Sequence, residues 1–321
     1  MTAGAVISGA YFGDKMSPLS DTTNLAPAMA GGDLYAHIKY MTLTTVPTFI
    51  ITFIVFSLIS FNIDTSTTGD MSSIISLSDT ILNDFYISPI LFLVPVLVII
   101  LAYLKIRPII ALSSGVFLAV IFALIFQQNI LDTINSSDLN AVFNSIFLDT
   151  EIPTENTRIE RLYNSGGMKG MLWTINLTLC AMIFGGAMDA IGALSKITSA
   201  LLERAKNMFG LFVSTVISCL GINIAASDQY LAIVIPGKMF KNAYEERGLA
   251  PENLSRTLED SGTVTSALIP WNTCGAYHYG VLGVSVPDYF IYAIFNWMSP
   301  IMTLIYAGFS IKIRRILKAK T

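Results

Sequence analysis

The chain has 321 residues, of which 53% are hydrophobic and 13% charged, with a formal net charge of -3. Soluble domains carry about 25% charged residues, and the mean hydropathy here is +0.63. That balance excludes a soluble enzyme, a disordered chain and a nucleic-acid binder, which would present a basic face.

A bilayer core of about 30 Å takes roughly 20 apolar helical residues to cross. In chain order, such runs fall at 38–61, 88–104, 108–126, 171–192 and 287–311. A further run, 209–240, is apolar but interrupted by polar residues at 221–230. The stretches 1–30 and 257–284 are apolar yet rich in Gly, Pro and small polar residues. Backbone that leaves the helix at membrane depth must be buried in protein or line a cavity, so these two stretches are expected to be re-entrant hairpins. Cys180, Cys219 and Cys274 stand far apart in apolar surroundings and read as inert thiols.

Orientation follows from Lys and Arg in the short connections. Lys105 and Arg107, the connector with Lys196, Arg204 and Lys206, and the tail with Lys312, Arg314, Arg315, Lys318 and Lys320 are placed in the cytoplasm. The segment 62–86, with Asp64, Asp70, Asp79 and Asp84 and no Lys or Arg, is placed outside, as is the net-acidic 127–169. The expectation is a multi-pass protein of the cell membrane with a cytoplasmic C-terminus. Residues 13–33 then lie on the inner side, and 257–284 enters from the outer side.

The two broken stretches resemble each other. SPLSDTTN (17–24) and IPWNTCG (269–275) each carry Pro followed by a small polar pair, Asp21-Thr22 in the first and Asn272-Thr273 in the second. A helix broken by proline follows each at nearly the same interval, at Pro47 and at Pro300. Opposite orientation and shared spacing point to inverted repeats, which place a binding site at the midplane between broken helices. The expected fold is an all-α polytopic membrane protein with inverted repeats, re-entrant hairpins and broken transmembrane helices. Residues 1–61 form the C-terminal part of the first repeat and 62–86 an external loop. Residues 87–321 form the second repeat, with its hairpin at about 257–284 and a broken last helix at 287–311. Four hydrophobic elements precede the second hairpin and only residues 1–12 the first, so the chain is expected to lack N-terminal helices.

The chemistry is expected where polar groups interrupt these apolar runs. GDKMSPLSDTTN (13–24) places Asp14, Lys15, Ser17, Ser20, Asp21, Thr22, Thr23 and Asn24 between close-packing helices. A carboxylate at membrane depth costs about 2.5–3.5 kcal/mol on insertion scales and is a functional candidate by default. Oxygen-only ligands suit a hard cation. Lys15 is expected to neutralise Asp14 or Asp21. Asp228, in GINIAASDQY, has two readings: past the middle of one long helix, or capping a second helix after a first that ends near 226. Asp189 reads as interfacial. Glu259 and Asp260 are expected near the outer surface, one of them at a helix N-terminus. His278 and His37 read as a structural and an interfacial histidine. Metalloprotease, nucleophile-elbow and phosphate-loop motifs are missing from the sequence, and it reads as a non-enzyme.

ISGAYFGDKMSPLSDTTNLAP at 7–27, the long string at 227–277 from SDQYLAIVIPGK to WNTCGAY, and more weakly GGAMDAIG at 185–192 resemble the NhaC family of sodium/proton antiporters. The resemblance implies a secondary transporter exchanging Na+ for H+. Some relatives in that family carry small carboxylates such as malate and lactate with the same ions. The expected partners are Na+, protons and the lipid bilayer, with no resident cofactor; a homo-oligomer is compatible with this reading. Na+ is expected between the hairpin tips, on Asp21, Thr22, Asn272 and Thr273, with Ser20 and Asn24 as secondary ligands. Asp21 is the first candidate for the proton-coupling carboxylate, ahead of Asp228 and Asp14. Carboxylate exchange would want a fixed cation, for which Lys15 is the candidate. A non-transporting remnant of a carrier is the third reading.

Overall fold

The computed structural model describes residues 1–61, 71–104, 106–134, 137–150, 152, 163–164 and 166–316. Within them the protein is an all-α membrane protein, with one isolated antiparallel bridge between Leu249 and Arg315. Lys105, Lys318, Lys320, Asp64 and Asp70, used above for orientation, lie outside the described residues.

Two compact units divide the chain. The first comprises Met1–Asn62 and Leu177–Thr321. It opens with α1 (Thr2–Met16), which breaks at residues 17–20 and goes on as α2 (Asp21–Ala30). Tyr11 meets Ser266, Lys15 Asp260, Thr22 Glu259 and Gly32 Pro251, so the two helices run the same way as one broken helix and not as the hairpin expected at 1–30. Gly31, at φ 80°, ends α2 in the left-handed region that glycine enters without strain. After it, α3 (Leu34–Phe61) runs on through Pro47 and is long and apolar enough to cross a membrane.

The second unit, Ile63–Asn176, contains α4 (Met71–Asp84), a 3-10 turn (Pro89–Phe92), α5 (Leu93–Tyr103), α6 (Pro108–Phe126), α7 (Gln128–Ile134) and α8 (Asp138–Phe147). Residues 78–84 and 89–103 meet at 80° and are together long and apolar enough to cross a membrane. On α6, Ile109 and Phe117 stay exposed, as lipid-facing side chains do. Leu131, Ala141 and Val142 pack with Val120 and Leu124 in a local apolar cluster.

Further along come α9 (Gly167–Ala190), α10 (Ala193–Arg204), α11 (Met208–Ala226) and α12 (Gln229–Glu246). The run 209–240 is thus two helices, broken at Ser227 (φ 58°). Of the two readings of Asp228, the structure takes the second: it caps α12, its Oδ1 accepting the Leu231 N–H at 3.0 Å. Next, α13 (Pro251–Leu258) continues without interruption into a π turn (Glu259–Thr263) and a 3-10 turn (Ser266–Leu268). The chain reverses at 269–272 into α14 (Thr273–Leu282), then α15 (Val286–Phe290) and α16 (Ile294–Gly308). Residues 287–311 are interrupted at 291–293 and not at the expected Pro300, which lies inside α16 as Pro47 lies inside α3. Gly275 lets the reversal at 269–272 close: a Cβ there would collide with the Ile269 carbonyl. The core of the first unit gathers Ala26, Leu211, Phe212, Ile233, Phe240, Tyr244, Leu254 and Leu258.

Candidate functional site

Three chain breaks in the first unit set helix ends side by side: residues 17–20 before α2, 227–228 before α12 and 269–272 before α14. Each is capped by its own side chain. Ser20 Oγ accepts from Thr23 N–H, Asp228 Oδ1 from Leu231 N–H and Asn272 Oδ1 from Cys274 N–H. These caps satisfy donors that every helix start leaves unpaired. By capping position Ser20 corresponds to Asn272, and Asp21 to Thr273, one residue off the pairing read from the sequence. The offset arises because the cap is set by backbone geometry and not by side-chain likeness.

The first tip reaches two elements. Asp21 is exposed; its Oδ1 accepts from Thr22 N–H at 2.8 Å and its Oδ2 accepts from the Tyr230 hydroxyl. Thr22 is fully buried and donates to Glu259 Oε1 at 3.1 Å. Ser20 Oγ lies 3.2 Å from Thr22 Oγ1, so two hydroxyls and a carboxylate cluster there. Asn24 donates to the Pro18 and Ser20 carbonyls at 2.9 and 2.6 Å and so ties off the turn. Asp14 is exposed at the end of α1, its carbonyl accepting from the Thr23 hydroxyl.

The second tip is held to the end of α11. Asn272 Nδ2 donates to the Asn223 Oδ1 and backbone carbonyl at 3.1 and 3.3 Å. Thr273 N–H donates to the Ser227 carbonyl at 3.0 Å and so closes the break at Ser227 with a backbone contact. Asn223 in turn donates to the Gly262 carbonyl at 2.6 Å and to Thr265 Oγ1 at 3.2 Å. The two tips thus both bind the chain around the 227–228 break, Asp21 at Tyr230 in the first turn of α12 and Thr273 at Ser227. Asp228 is fully buried, and its Oδ2 has no hydrogen-bond partner among the described residues. For Asp189, the structure describes the backbone position alone, within α9.

Two carboxylates expected near the outer surface are instead buried completely. Glu259 and Asp260 both lie in the π turn that continues α13. A π turn adds a residue to the helical circuit and is frequent at functional sites. Sequence reading missed Glu259 because it took 257 as the start of a hairpin arm entering from the side opposite the C-terminus. The arm instead begins at Pro251 beside the C-terminal segment, where Ala250 N–H and Asn253 Nδ2 donate to the Arg314 carbonyl at 3.0 and 2.6 Å. The signal that could have found them is the polar run Glu259, Asp260, Thr263, Thr265 and Ser266 within an apolar segment. Glu259 Oε2 and Thr263 Oγ1 are buried without partners among the described residues.

Lys15 is also placed differently from the expectation. It pairs with neither Asp14 nor Asp21 but forms a buried ion pair with Asp260 Oδ1. Asp260 Oδ2 accepts from the Thr44 hydroxyl at 3.0 Å and from the Thr303 hydroxyl. The helix α1, whose end carries Lys15, is thereby locked to the π turn, to α3 and to α16. The fixed cation that an anionic substrate would want at the first tip is neutralised by Asp260. Among the described residues no group of three His, Cys, Asp or Glu is arranged to hold a metal ion. Hydroxyls and single carboxylates instead suit transient contact with a hard monovalent cation.

The chain matches the model of the Na+/H+ antiporter family over residues 9–311. It is 39% identical to the Na+/H+ antiporter NhaC of Alkalihalophilus pseudofirmus over 95% of this chain and 64% of that protein. It is 35% identical to the Na+/H+ antiporter NhaC of Bacillus subtilis, over 95% of this chain and 65% of that protein. It is 31% identical to the malate-2H+/Na+-lactate antiporter of Bacillus subtilis, over 93% of this chain and 61% of that protein. The chain thus spans somewhat under two thirds of the length of these three relatives. No solved structure matches it. With broken helices around buried carboxylates and a family match over nearly its whole length, the chain belongs to the Na+/H+ antiporter family.

Proposed function

We propose that the protein exchanges Na+ for protons across the cell membrane, with its C-terminal segment on the cytoplasmic side. The observation that carries this reading is Glu259, a fully buried carboxylate with one oxygen on Thr22 and the other without a hydrogen-bond partner among the described residues. A bare carboxylate at membrane depth is unfavourable, and either a proton or Na+ neutralises it. Two cations that compete for one anionic site are exchanged by that competition alone: loading by one excludes the other, and the empty, charged site crosses poorly.

Thr22 and Ser20 supply hydroxyl oxygens next to Glu259. Asp21, on the exposed side of the same turn and joined to Tyr230, is where an arriving cation first meets charge. Asp228, with a free oxygen at the 227–228 break, is the second carboxylate in reach of the tips, and Asp14 the third. Asn24, Asn272 and Thr273 keep the helix ends aimed at the break. Rocking of one inverted repeat against the other would alternate access to the two sides.

The test is proton release. Adding Na+ to the purified chain in weakly buffered detergent solution should acidify it, and the apparent Na+ affinity should rise with pH by up to about tenfold per unit while the proton is the competitor. Glu259→Gln should abolish the release. Asp21→Asn should weaken Na+ binding and keep its pH dependence. Na+ binding by the parent chain without proton release would refute the competition, and release that persists in Glu259→Gln but vanishes in Asp228→Asn would move the coupling to Asp228.

A further inference from the structure

One face of α13 and its π-turn continuation is polar throughout although the element is buried. Glu252, Arg256, Glu259 and Thr263 recur at i, i+4, i+7 and i+11, the spacing of a single helical stripe. Glu252 is 8% exposed, Arg256 and Glu259 are 0% and Thr263 is 1%. Each of the four has buried polar atoms without a hydrogen-bond partner among the described residues: Glu252 Oε2, the Nε, Nη1 and Nη2 of Arg256, Glu259 Oε2 and Thr263 Oγ1. Beside them His37 bonds Ser255 through Nδ1 at 2.7 Å, and its Nε2 is likewise without a partner.

The Arg256 guanidinium lies over the Tyr40 ring at 4.6 Å and near the Tyr306 ring at 5.9 Å. Those rings shield its faces, and its N–H donors remain in the guanidinium plane. Glu252 Oε1 is bound by Arg314 Nη1 at 2.9 Å, at the surface where residues 312–316 lie along the start of α13. Donors and acceptors are orphaned together along the stripe. A bound anion would satisfy the donors alone, whereas water satisfies both kinds. From Glu252 to Thr263 the stripe rises about 16 Å at 1.5 Å per residue, roughly half of the ~30 Å hydrocarbon core.

We propose that this stripe is the hydrated access route from the aqueous phase at the C-terminal segment to the oxygen cluster at Glu259, with Arg256 as its narrowest, positively charged point. The inference rests on the exchange reading only for what travels along the route. The route itself is a statement about water, and its test does not require transport.

The first measurement uses the unaltered chain. Hydroxyl-radical footprinting should oxidise Tyr40 and His37 at least about tenfold faster than Tyr244, which is also buried but lies in the apolar core, because bound water generates the radical in place. The second uses a chain with Cys180, Cys219 and Cys274 replaced by Ser or Ala. Thr263→Cys, nearly isosteric, and Arg256→Cys should react with a small cationic methanethiosulfonate, while Leu254→Cys and Leu258→Cys, off the stripe, should not. Should Arg256→Cys fail to fold, Thr263→Cys and the footprinting decide. Oxidation of Tyr40 and His37 no faster than that of Tyr244, together with Thr263→Cys as inert as the leucine positions, would overturn the route. Labelling on the stripe without Na+-driven proton release would leave the route standing and refute the exchange reading.

Discussion

Removing either member of the Lys15–Asp260 pair should destabilise the protein, but unequally. Both side chains are buried, at 1% and 0% exposure. Breaking a buried pair by deleting one partner costs about 3–5 kcal/mol, because the other charge is left uncompensated. Lys15→Met leaves Asp260 with two hydroxyl donors, Thr44 and Thr303. It should therefore fall at the lower end, about 3 kcal/mol. Asp260→Leu leaves the Lys15 ammonium without its hydrogen-bond acceptor, beside the Phe295 ring 5.5 Å away. It also removes the acceptor of Thr303, whereas Thr44 keeps the Met41 carbonyl at 3.3 Å. That variant should lose about 5 kcal/mol, with roughly 1 more for the stranded hydroxyl. The double variant replaces the pair by apolar side chains and should lie within about 2 kcal/mol of the parent. A double-mutant cycle on unfolding in detergent, followed by tryptophan fluorescence, reads all three. The coupling should exceed about 3 kcal/mol. Additive single losses, or a Lys15→Met loss larger than that of Asp260→Leu, would refute the reasoning.

The tips and the charge pattern carry two further predictions. Gly275→Ala should destabilise the chain by about 1–3 kcal/mol, since the new Cβ meets the Ile269 carbonyl and the reversal at 269–272 must open; an unchanged melting temperature would show that the reversal yields without strain. In intact cells, and in a chain without its own cysteines, Thr133→Cys should react with an impermeant maleimide and Lys196→Cys only after permeabilisation. Labelling of Lys196→Cys from outside would overturn the orientation read from Lys and Arg.

The helical class and some of the places where helices fail were legible in the sequence, because both depend on local chemistry; the breaks expected at Pro47 and Pro300 do not form. Pro18 with Ser20, and Pro270 with Asn272, stop one helix and cap the next whatever surrounds them. Thr22 was legible for the same reason: a hydroxyl beside a cap in an apolar run is conspicuous. Asp21 was conspicuous too, but whether it faces inward or outward depends on which neighbour packs beside it, and the structure leaves it exposed with Tyr230. Glu259 and Asp260 were misplaced because their burial depends on what packs around α13, and a run as polar as PENLSRTLEDSGT (251–263) gives no local sign that it is covered.

Composition by itself determined that this is a membrane protein, since 53% hydrophobic and 13% charged residues leave too little polar surface for water. Capping residues determined where helices restart at Ser20, Asp228 and Asn272, since caps act over a few bonds, whereas Pro27, Pro47, Pro236 and Pro300 sit inside helices that packing keeps whole. Only the tertiary structure decided which charges meet. Lys15 and Asp260, and Thr22 and Glu259, are more than two hundred residues apart in the chain, and each is brought within reach by the packing of α1 and α2 against α13 and its π turn. Burial is a property of that packing: the same carboxylate is a solvated surface charge or an ion-exchanging group according to what covers it, and no local pattern records the cover.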